Sequence, residues 1–462
     1  MSVENVATPV TTESAVDTKN RVVGTLVYTT GGLIVLFFWL LFGDFAIFMR
    51  ERSAMPSITV LMQQFHASNF LMGLFKEALP AAVGLFIVPI VAFKSDRHRS
   101  SRGRRIPFLV IPTPIGALAM IGIGYCPVMG NTLHSILGDM SPGLDACVLT
   151  LFGFFWTIFE SVAIVTLAIF TALIADVVPN GLLGRFYGCF RIVSLVAAII
   201  FSKFIFAYTD THLREIFLSI GLFYGIAFTL MCMFVREGQY PDPEPEEGAQ
   251  AHPLGFFNNA KIYLQESFSH SYYLWVFSAL AIGLLAPFPF NSFNQVYAGQ
   301  LGLTKQQLGD LQANSFAISI GLAFFIGWFV DKFNALKVVI AAMALYFISM
   351  LLALIYFEGA KEFSVIYMLH VVVSGIYFTA NASLPMMLFP KLRFSQFASA
   401  AGIVSGLSLL VVGTVQGKVL DWAGSNYKLT LLGSAVFAGI ALVLHIVVLY
   451  KYKALNGRDP AA

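Results

Sequence analysis

About a dozen apolar runs, each close to the length of a membrane span and separated by short polar joints, constrain this chain more than any other feature. A helix needs about 20 mostly apolar residues to cross a hydrocarbon core ~30 Å thick. Backbone groups cannot stay unpaired in lipid, so the runs must be helices or strands of a closed barrel. Their length and their lack of strict alternation exclude a barrel. Only 11% of the 462 residues are charged, against about 25% in a soluble domain, so a water-facing surface could not be covered. The fold expected is an all-α membrane protein of about 12 transmembrane helices.

The runs fall into two sets. The first run, from Gly31 to Met49, is followed by Arg50-Glu51-Arg52 and a second apolar stretch containing Pro56. Either those charges lie in an external loop, or one long helix continues to about Leu61. Further spans are expected at roughly 69–93, 106–127, 147–175, 186–207 and 215–235. Composition then changes. Glu237 to Pro253 holds four prolines and several glutamates, the mark of an exposed linker, with a short surface helix expected over 258–271. A second set follows at roughly 273–298, 307–330, 335–356, 364–388, 396–420 and 429–450. The layout is 6+6 pseudo-symmetric, two six-helix bundles over 22–236 and 273–452 joined by a linker over 237–272. Residues 1–21 read as a disordered cytoplasmic lead-in without a cleavable signal, and 453–462 as a cytoplasmic tail.

Punctuation repeats between the halves. Pro179 precedes Phe186 by seven positions, as Pro390 precedes Phe397, and Asp96-Arg97 after the second span is echoed by Asp331-Lys332 after the eighth. Two echoes in register are what an internal structural repeat produces.

Net charge is +3, but its distribution carries the information. Lys94, Arg97, Arg99, Arg102, Arg104 and Arg105 crowd one short joint, and short basic loops stay in the cytoplasm. The joint between helices three and four has no Lys or Arg. Both termini are therefore expected inside a bacterial inner membrane. A loop pinned between two spans sets orientation, and no nucleic-acid partner is expected.

Enzyme signatures are missing. Cys126, Cys147, Cys189 and Cys232 show no C-x-x-C spacing, which offers neither a zinc site nor a redox pair. Gly413 to Lys418 is the nearest approach to a phosphate loop, but its spacing is wrong and Val419 follows where Ser or Thr is needed. No cofactor, metal or catalytic constellation is expected, and transport would draw on an ion gradient.

Ionisable residues inside spans cost about 2.5–3.5 kcal/mol each at a helix centre and mark ion pathways. Asp44, Glu51, Glu77 and Glu160 are the candidates for ion coupling. Asp44 and Glu51 are seven apart and share a face if one helix carries both. Glu77 follows Lys76, so a local ion pair near the outer surface is the plainer reading there. Candidate substrate groups are Trp156, one turn from Glu160, and the amides Asn291, Asn294 and Gln295, which lie on one helical face. Those amides follow Pro287 and Pro289, which should break helix seven. Amides with Phe288, Phe290 and Tyr297 suit a neutral, hydroxyl-rich ligand, although Asn and Gln also bond between spans. Gln312, Asn314 and Asn381 are weaker candidates. His370 reads as structural, and Arg191 as a gate or interface residue.

The run Ser95–Phe108, SDRHRSSRGRRIPF, resembles the loop joining helices two and three in the major facilitator superfamily. It is especially similar to that of the sugar:cation symporters of the glycoside–pentoside–hexuronide and sucrose:proton type. Gly327-Trp328-Phe329-Val330-Asp331-Lys332 keeps the G-x-x-x-D-K core in the second half, and Asp176, Pro179, Gly184 and Arg185 look like the joint between helices four and five. Ala92 stands where the family usually has Gly, and the second-half loop lacks the Arg cluster. The resemblance implies gating roles for Asp96, Arg97, Arg104, Arg105, Asp176, Arg185, Asp331 and Lys332. It also implies an acidic residue in helix one before a proline, which favours the continuous helix. The function it implies is cation-coupled symport of a sugar or glycoside, with a proton as the expected cation, by a monomer that rocks two bundles about a central site. An exporter of amphipathic small molecules is the alternative, to which 45 Phe residues would be suited.

Overall fold

The structure, a computed structural model, describes residues 22–179, 181–240, 263, 265–357, 359–390 and 393–455. The expected lead-in over 1–21, most of the linker with its surface helix, and the last residues of the tail lie outside the described residues.

Eleven helical segments are long and apolar enough to cross a membrane, and the 29-residue helix Lys305–Phe333 has the length for a twelfth. In chain order they are α1 (Thr30–Gln64), α2 (Asn69–Arg97), α3 (Pro107–Met140), α4 (Leu144–Val177), α5 (Arg185–Asp210) and α6 (Leu213–Phe234). The second set is α7 (Ser271–Gln300), α8 (Lys305–Phe333), α9 (Ala335–Tyr356), α10 (Ala360–Leu388), α11 (Gln396–Trp422) and α12 (Lys428–Ala454). This is the expected all-α 6+6 arrangement. Before α1 a short antiparallel hairpin pairs Val22 with Val27 and Val23 with Leu26.

Helix α1 settles the ambiguity around Arg50-Glu51-Arg52 in favour of one continuous helix of 35 residues. Pro56 sits inside it. Its missing N–H frees the Arg52 carbonyl of its helical donor, a defect tolerated where a helix borders a polar cavity. Helix α7 is broken as expected: one segment ends at Leu285 and the next starts at Phe288. The disturbed backbone is repaired from neighbouring helices, with Gln416 Nε2 donating to the Pro289 carbonyl at 2.8 Å and Phe290 N donating to Ser434 Oγ at 3.3 Å.

The two halves meet along two seams, α2 against α11 and α5 against α8. In each seam the first-half helix widens into a π-helical turn, Leu74–Ala78 in α2 and Phe201–Ile205 in α5. A lysine is the third residue of both turns and reaches across to the other half. Lys76 Nζ donates to the Ser292 carbonyl at 2.5 Å, and Lys203 pairs with Asp310 at 3.3 Å. Single π turns commonly mark functional sites.

Glycine contacts show that the seams are tight at one end only. A Cβ on Gly73 would run into the Gly413 carbonyl, one on Gly417 into the Asn69 carbonyl, and one on Gly309 into the Ser202 carbonyl. At Gly84, Gly188, Gly321, Gly402 and Gly406, on the same four helices toward the Arg-rich loop, a Cβ would meet nothing within 4 Å. The bundles therefore form a wedge, sealed at the end far from the Arg-rich loop and open beside it.

Orientation in the membrane is directly testable. All four cysteines are free and Cys189 is exposed, so the background should carry Cys189→Ser. In intact cells Ser101→Cys, in the Arg-rich joint, is expected to resist an impermeant maleimide, while Asn131→Cys in α3 is expected to react. Labelling in the opposite sense would reverse the orientation drawn from charge.

Candidate functional site

Between the halves lie two adjoining cavities of about 370 and 590 Å³, within the range of small-molecule sites. Arg52, Met55, Pro56, Gln312, Phe316 and Tyr367 line both. Together the cavities sit on α1, α2, α4, α5, α7, α8 and α10, so neither half alone could form them.

The smaller cavity gathers Arg50, Glu51, Trp156 and Glu160. Glu160 is 7% exposed and Arg50 is 2% exposed. The Arg50 guanidinium lies over the Tyr224 ring at 4.6 Å and the Phe159 ring at 5.7 Å, which stabilises the cation without neutralising it. Among the described residues its Nε and Nη1 find no hydrogen-bond partner. Among the described residues neither Arg50 nor Glu160 is in an ion pair. Trp156 Nε1 donates to the Phe75 carbonyl at 2.8 Å, fixing the indole as a wall next to the π turn of α2.

The larger cavity carries the amides. Asn291, Asn294 and Gln295 all line it, as do Lys76, Glu77 and Arg191. Gln295 Nε2 donates to the Pro56 carbonyl at 3.0 Å, joining the broken helix of the second half to the proline turn of the first. Lys76 and Glu77 are bridging groups between the halves and not a local surface pair. Ser292 Oγ donates to Glu77 Oε1 at 2.7 Å while the Ser292 carbonyl accepts from Lys76. His370, read from the sequence as structural, also lines this cavity. Tyr346 Oη lies 2.6 Å from its Nδ1, and its Nε2 lies 2.7 Å from Asn291 Oδ1. With Tyr346 donating, the ring carries its proton on Nε2 and donates to Asn291 Oδ1.

Three of the candidate residues lie outside both cavities. Asp44 is fully buried on α1 with neither carboxylate oxygen hydrogen-bonded, but it does not line either cavity. Asn314 is exposed and does not line them, whereas Gln312 does; two helical positions turn a side chain through about 200°. Asn381 also stays outside them, with a buried Oδ1 that has no partner.

Two polar clasps lie away from the cavities. At the sealed end Asp421 of α11 accepts from the backbone N–H of Asn69 at 2.9 Å and of Phe70 at 2.9 Å. This carboxylate of one half thus caps the first turn of α2 in the other, where the helix dipole favours an anion. The Asn69 side chain is bonded to Asp421, Ser425 and Tyr427 at 3.0, 3.0 and 2.7 Å. At the open end Arg104 bonds Asp176 at 2.6 and 3.0 Å, and Arg105 bridges Asp176 at 3.1 Å and Asp96. The bidentate Asp176 carboxylate holds the Arg104 guanidinium above its already high range. Arg97 lies over Phe93 at 4.1 Å, and Lys332 over Trp328 at 4.7 Å. Arg185 is exposed, and the Asp331 side chain lies outside the described residues.

Sequence reading passed over Glu237, which it placed in the linker. Its carboxylate accepts from three successive backbone N–H groups, of Arg104, Arg105 and Ile106, at 3.0, 2.8 and 2.7 Å. An acid two positions after the last apolar residue of a span, with a basic loop elsewhere, was the available signal. Asp421 and Asn69 were equally silent, since 352 positions separate them.

This architecture is similar to that of known membrane proteins. The Major Facilitator Superfamily model matches residues 283–462, which lie in the second bundle and tail. That match covers the second half of the chain, and over the whole chain the likeness to solved structures is one of fold. Among solved structures, the nucleoside transporter NupG is similar with a TM-score of 0.62 and 14% identity, over 90% of this chain and 99% of that one. A D-xylose-proton symporter gives 0.61 and 16%, over 89% and 96% of the two chains. The xylose transporter XylE from E. coli, in an inward open conformation, gives 0.60 and 15%, over 88% and 94%.

Proposed function

We propose that this protein is a proton-coupled symporter of a sugar or glycoside that works by alternating access. The observation that carries the reading is the sharing of one interbundle space by acids and amides: Glu51, Glu77 and Glu160 beside Asn291, Asn294 and Gln312. Amide groups supply paired donors and acceptors for hydroxyls, and the Trp156, Phe316 and Tyr367 rings supply apolar faces. A carboxyl held among apolar walls exchanges a proton with little other chemistry available to it. With the Arg-rich loop on the cytoplasmic side, the wedge is an inward-facing state. The substrate would leave past the open ends of α2, α5, α8 and α11. The similar solved structures, named for xylose and nucleosides, support a polar, ring-bearing substrate class.

Proteoliposomes test this directly. Labelled pentoses, hexoses and disaccharides are offered with an imposed pH gradient, acid outside. At least one should accumulate above its external concentration, and a protonophore should release it. Equilibration without accumulation for every sugar, in a protein that still exchanges one of them, would leave a facilitator. Extrusion against the proton gradient would favour the exporter reading instead.

A further inference from the structure

A third cavity, of about 400 Å³, lies away from the interbundle space, where the Arg-rich joint meets the end of α6. Ser101, Arg102 and Ile106 form one side of it, and Cys232, Met233, Val235, Arg236 and Glu237 form the other. Its chemistry is divided. Ile106, Cys232 and Val235 are buried and apolar, at 2%, 4% and 4% exposure. Ser101, Arg102 and Arg236 are exposed and polar or cationic. Among the described residues neither Arg102 nor Arg236 has a carboxylate within ion-pair distance. The one acid lining the cavity, Glu237, is already spent on the backbone N–H groups of Arg104, Arg105 and Ile106.

The same acid makes the cavity rigid. Gly103 adopts φ +100°, and a Cβ there would collide with the Glu237 side chain. The loop is thus held against the end of α6 before any ligand arrives. Two unpaired guanidiniums and a hydroxyl over an apolar floor fit a phosphate ester carrying a hydrocarbon tail. A free phosphate would use only the rim. The apolar wall, however, includes Met233, and Phe234 follows it; the two are 67% and 56% exposed at the end of α6.

We propose that this cavity binds the headgroup of an anionic phospholipid from the leaflet next to the Arg-rich loop. The phosphate would lie between Arg102 and Arg236, with the glycerol against Ser101 and one acyl chain along Met233 and Phe234. The bound lipid bridges the joint between α2 and α3 to the end of α6, so it reinforces the contact that Glu237 makes through backbone N–H groups.

The test is native mass spectrometry of the full-length protein, delipidated in neutral detergent and titrated with dioleoyl phosphatidylglycerol or dioleoyl phosphatidylcholine. One phosphatidylglycerol should bind in preference to phosphatidylcholine. In Arg102→Gln/Arg236→Gln that preference should fall by on the order of tenfold to thirtyfold, as expected for two basic residues near a lipid phosphate. Arg214→Gln, at the opposite end and paired with Glu215, should leave it unchanged. Met233→Glu, which keeps both arginines but puts an acid against the tail, should also lose the lipid and guards against misfolding of the double variant. Equal binding of the two lipids, or undiminished phosphatidylglycerol binding in both variants, would overturn the site. Displacement by glycerol 3-phosphate at matched concentration would overturn the lipid assignment in favour of a soluble phosphate.

Discussion

Replacing Glu160 with Gln is expected to abolish uphill accumulation of substrate while exchange of labelled for unlabelled substrate continues. Glu160 is buried on α4 and lines the same cavity as Arg50 and Glu51. Gln keeps the shape of the protonated acid but can neither release nor capture a proton. A proton gradient drives transport only if protonation differs in free energy between loaded and empty carriers, because differential binding alone can shift the cycle. A permanently neutral side chain removes that difference. The carrier then interconverts only when substrate occupies it, and exchange needs nothing more. In vesicles preloaded with unlabelled substrate at the external concentration, label should therefore equilibrate to a ratio of about 1 and go no higher. Because α1 runs unbroken through Arg52 to Gln64, Glu51→Gln should give the same phenotype. Glu77→Gln separates the roles further, since Glu77 accepts from Ser292 across the halves at 2.7 Å. Accumulation that survives in all three variants would end the coupled-symport reading.

The second large effect is expected at the sealed seam. Gly413 of α11 faces α2 so closely that a Cβ would lie 2.7 Å from the Glu77 Cβ. Gly413→Leu should therefore prop this end open. Overpacking costs about 1–3 kcal/mol, and each ~1.4 kcal/mol shifts a two-state population tenfold. Transport should fall by on the order of tenfold to a hundredfold for that cost. A cysteine placed at Ser425, whose hydroxyl is bonded to Asn69 in the sealed end, should become more reactive to the same impermeant maleimide. Gly402→Leu supplies the contrast. It lies on the same helix at the open end, where a Cβ would meet nothing within 4 Å. It should slow transport by hindering closure there, without raising reactivity at Ser425→Cys. Normal transport by Gly413→Leu would show that the seam need not close during the cycle.

The sequence by itself determined that the chain spans a membrane about twelve times as helices, in two similar sets joined by a polar linker. Hydropathy does this because each span is decided locally: some twenty residues either satisfy the hydrocarbon core or do not. Proline positions were legible for the same reason, since Pro287 breaks α7 and Pro56 disturbs α1 whatever surrounds them. Only the tertiary structure decided which polar side chains share a space. A span's hydropathy hardly changes as it rotates about its axis, yet rotation is what places Gln312 in the cavity and Asn314 outside it. Depth along the helix decides another pair: Asp44 and Glu51 share a face of α1, yet only Glu51, two turns on, lines the cavity. Pairings between distant residues were beyond any local pattern. The capping of α2 by Asp421 depends on close packing at Gly73 and Gly413, and the gripping of the Arg104 backbone by Glu237 on the packing of α3 against α6. Which end of the wedge is closed follows from those contacts, because close approach of two helices requires glycine at the crossing and leaves no trace in hydropathy.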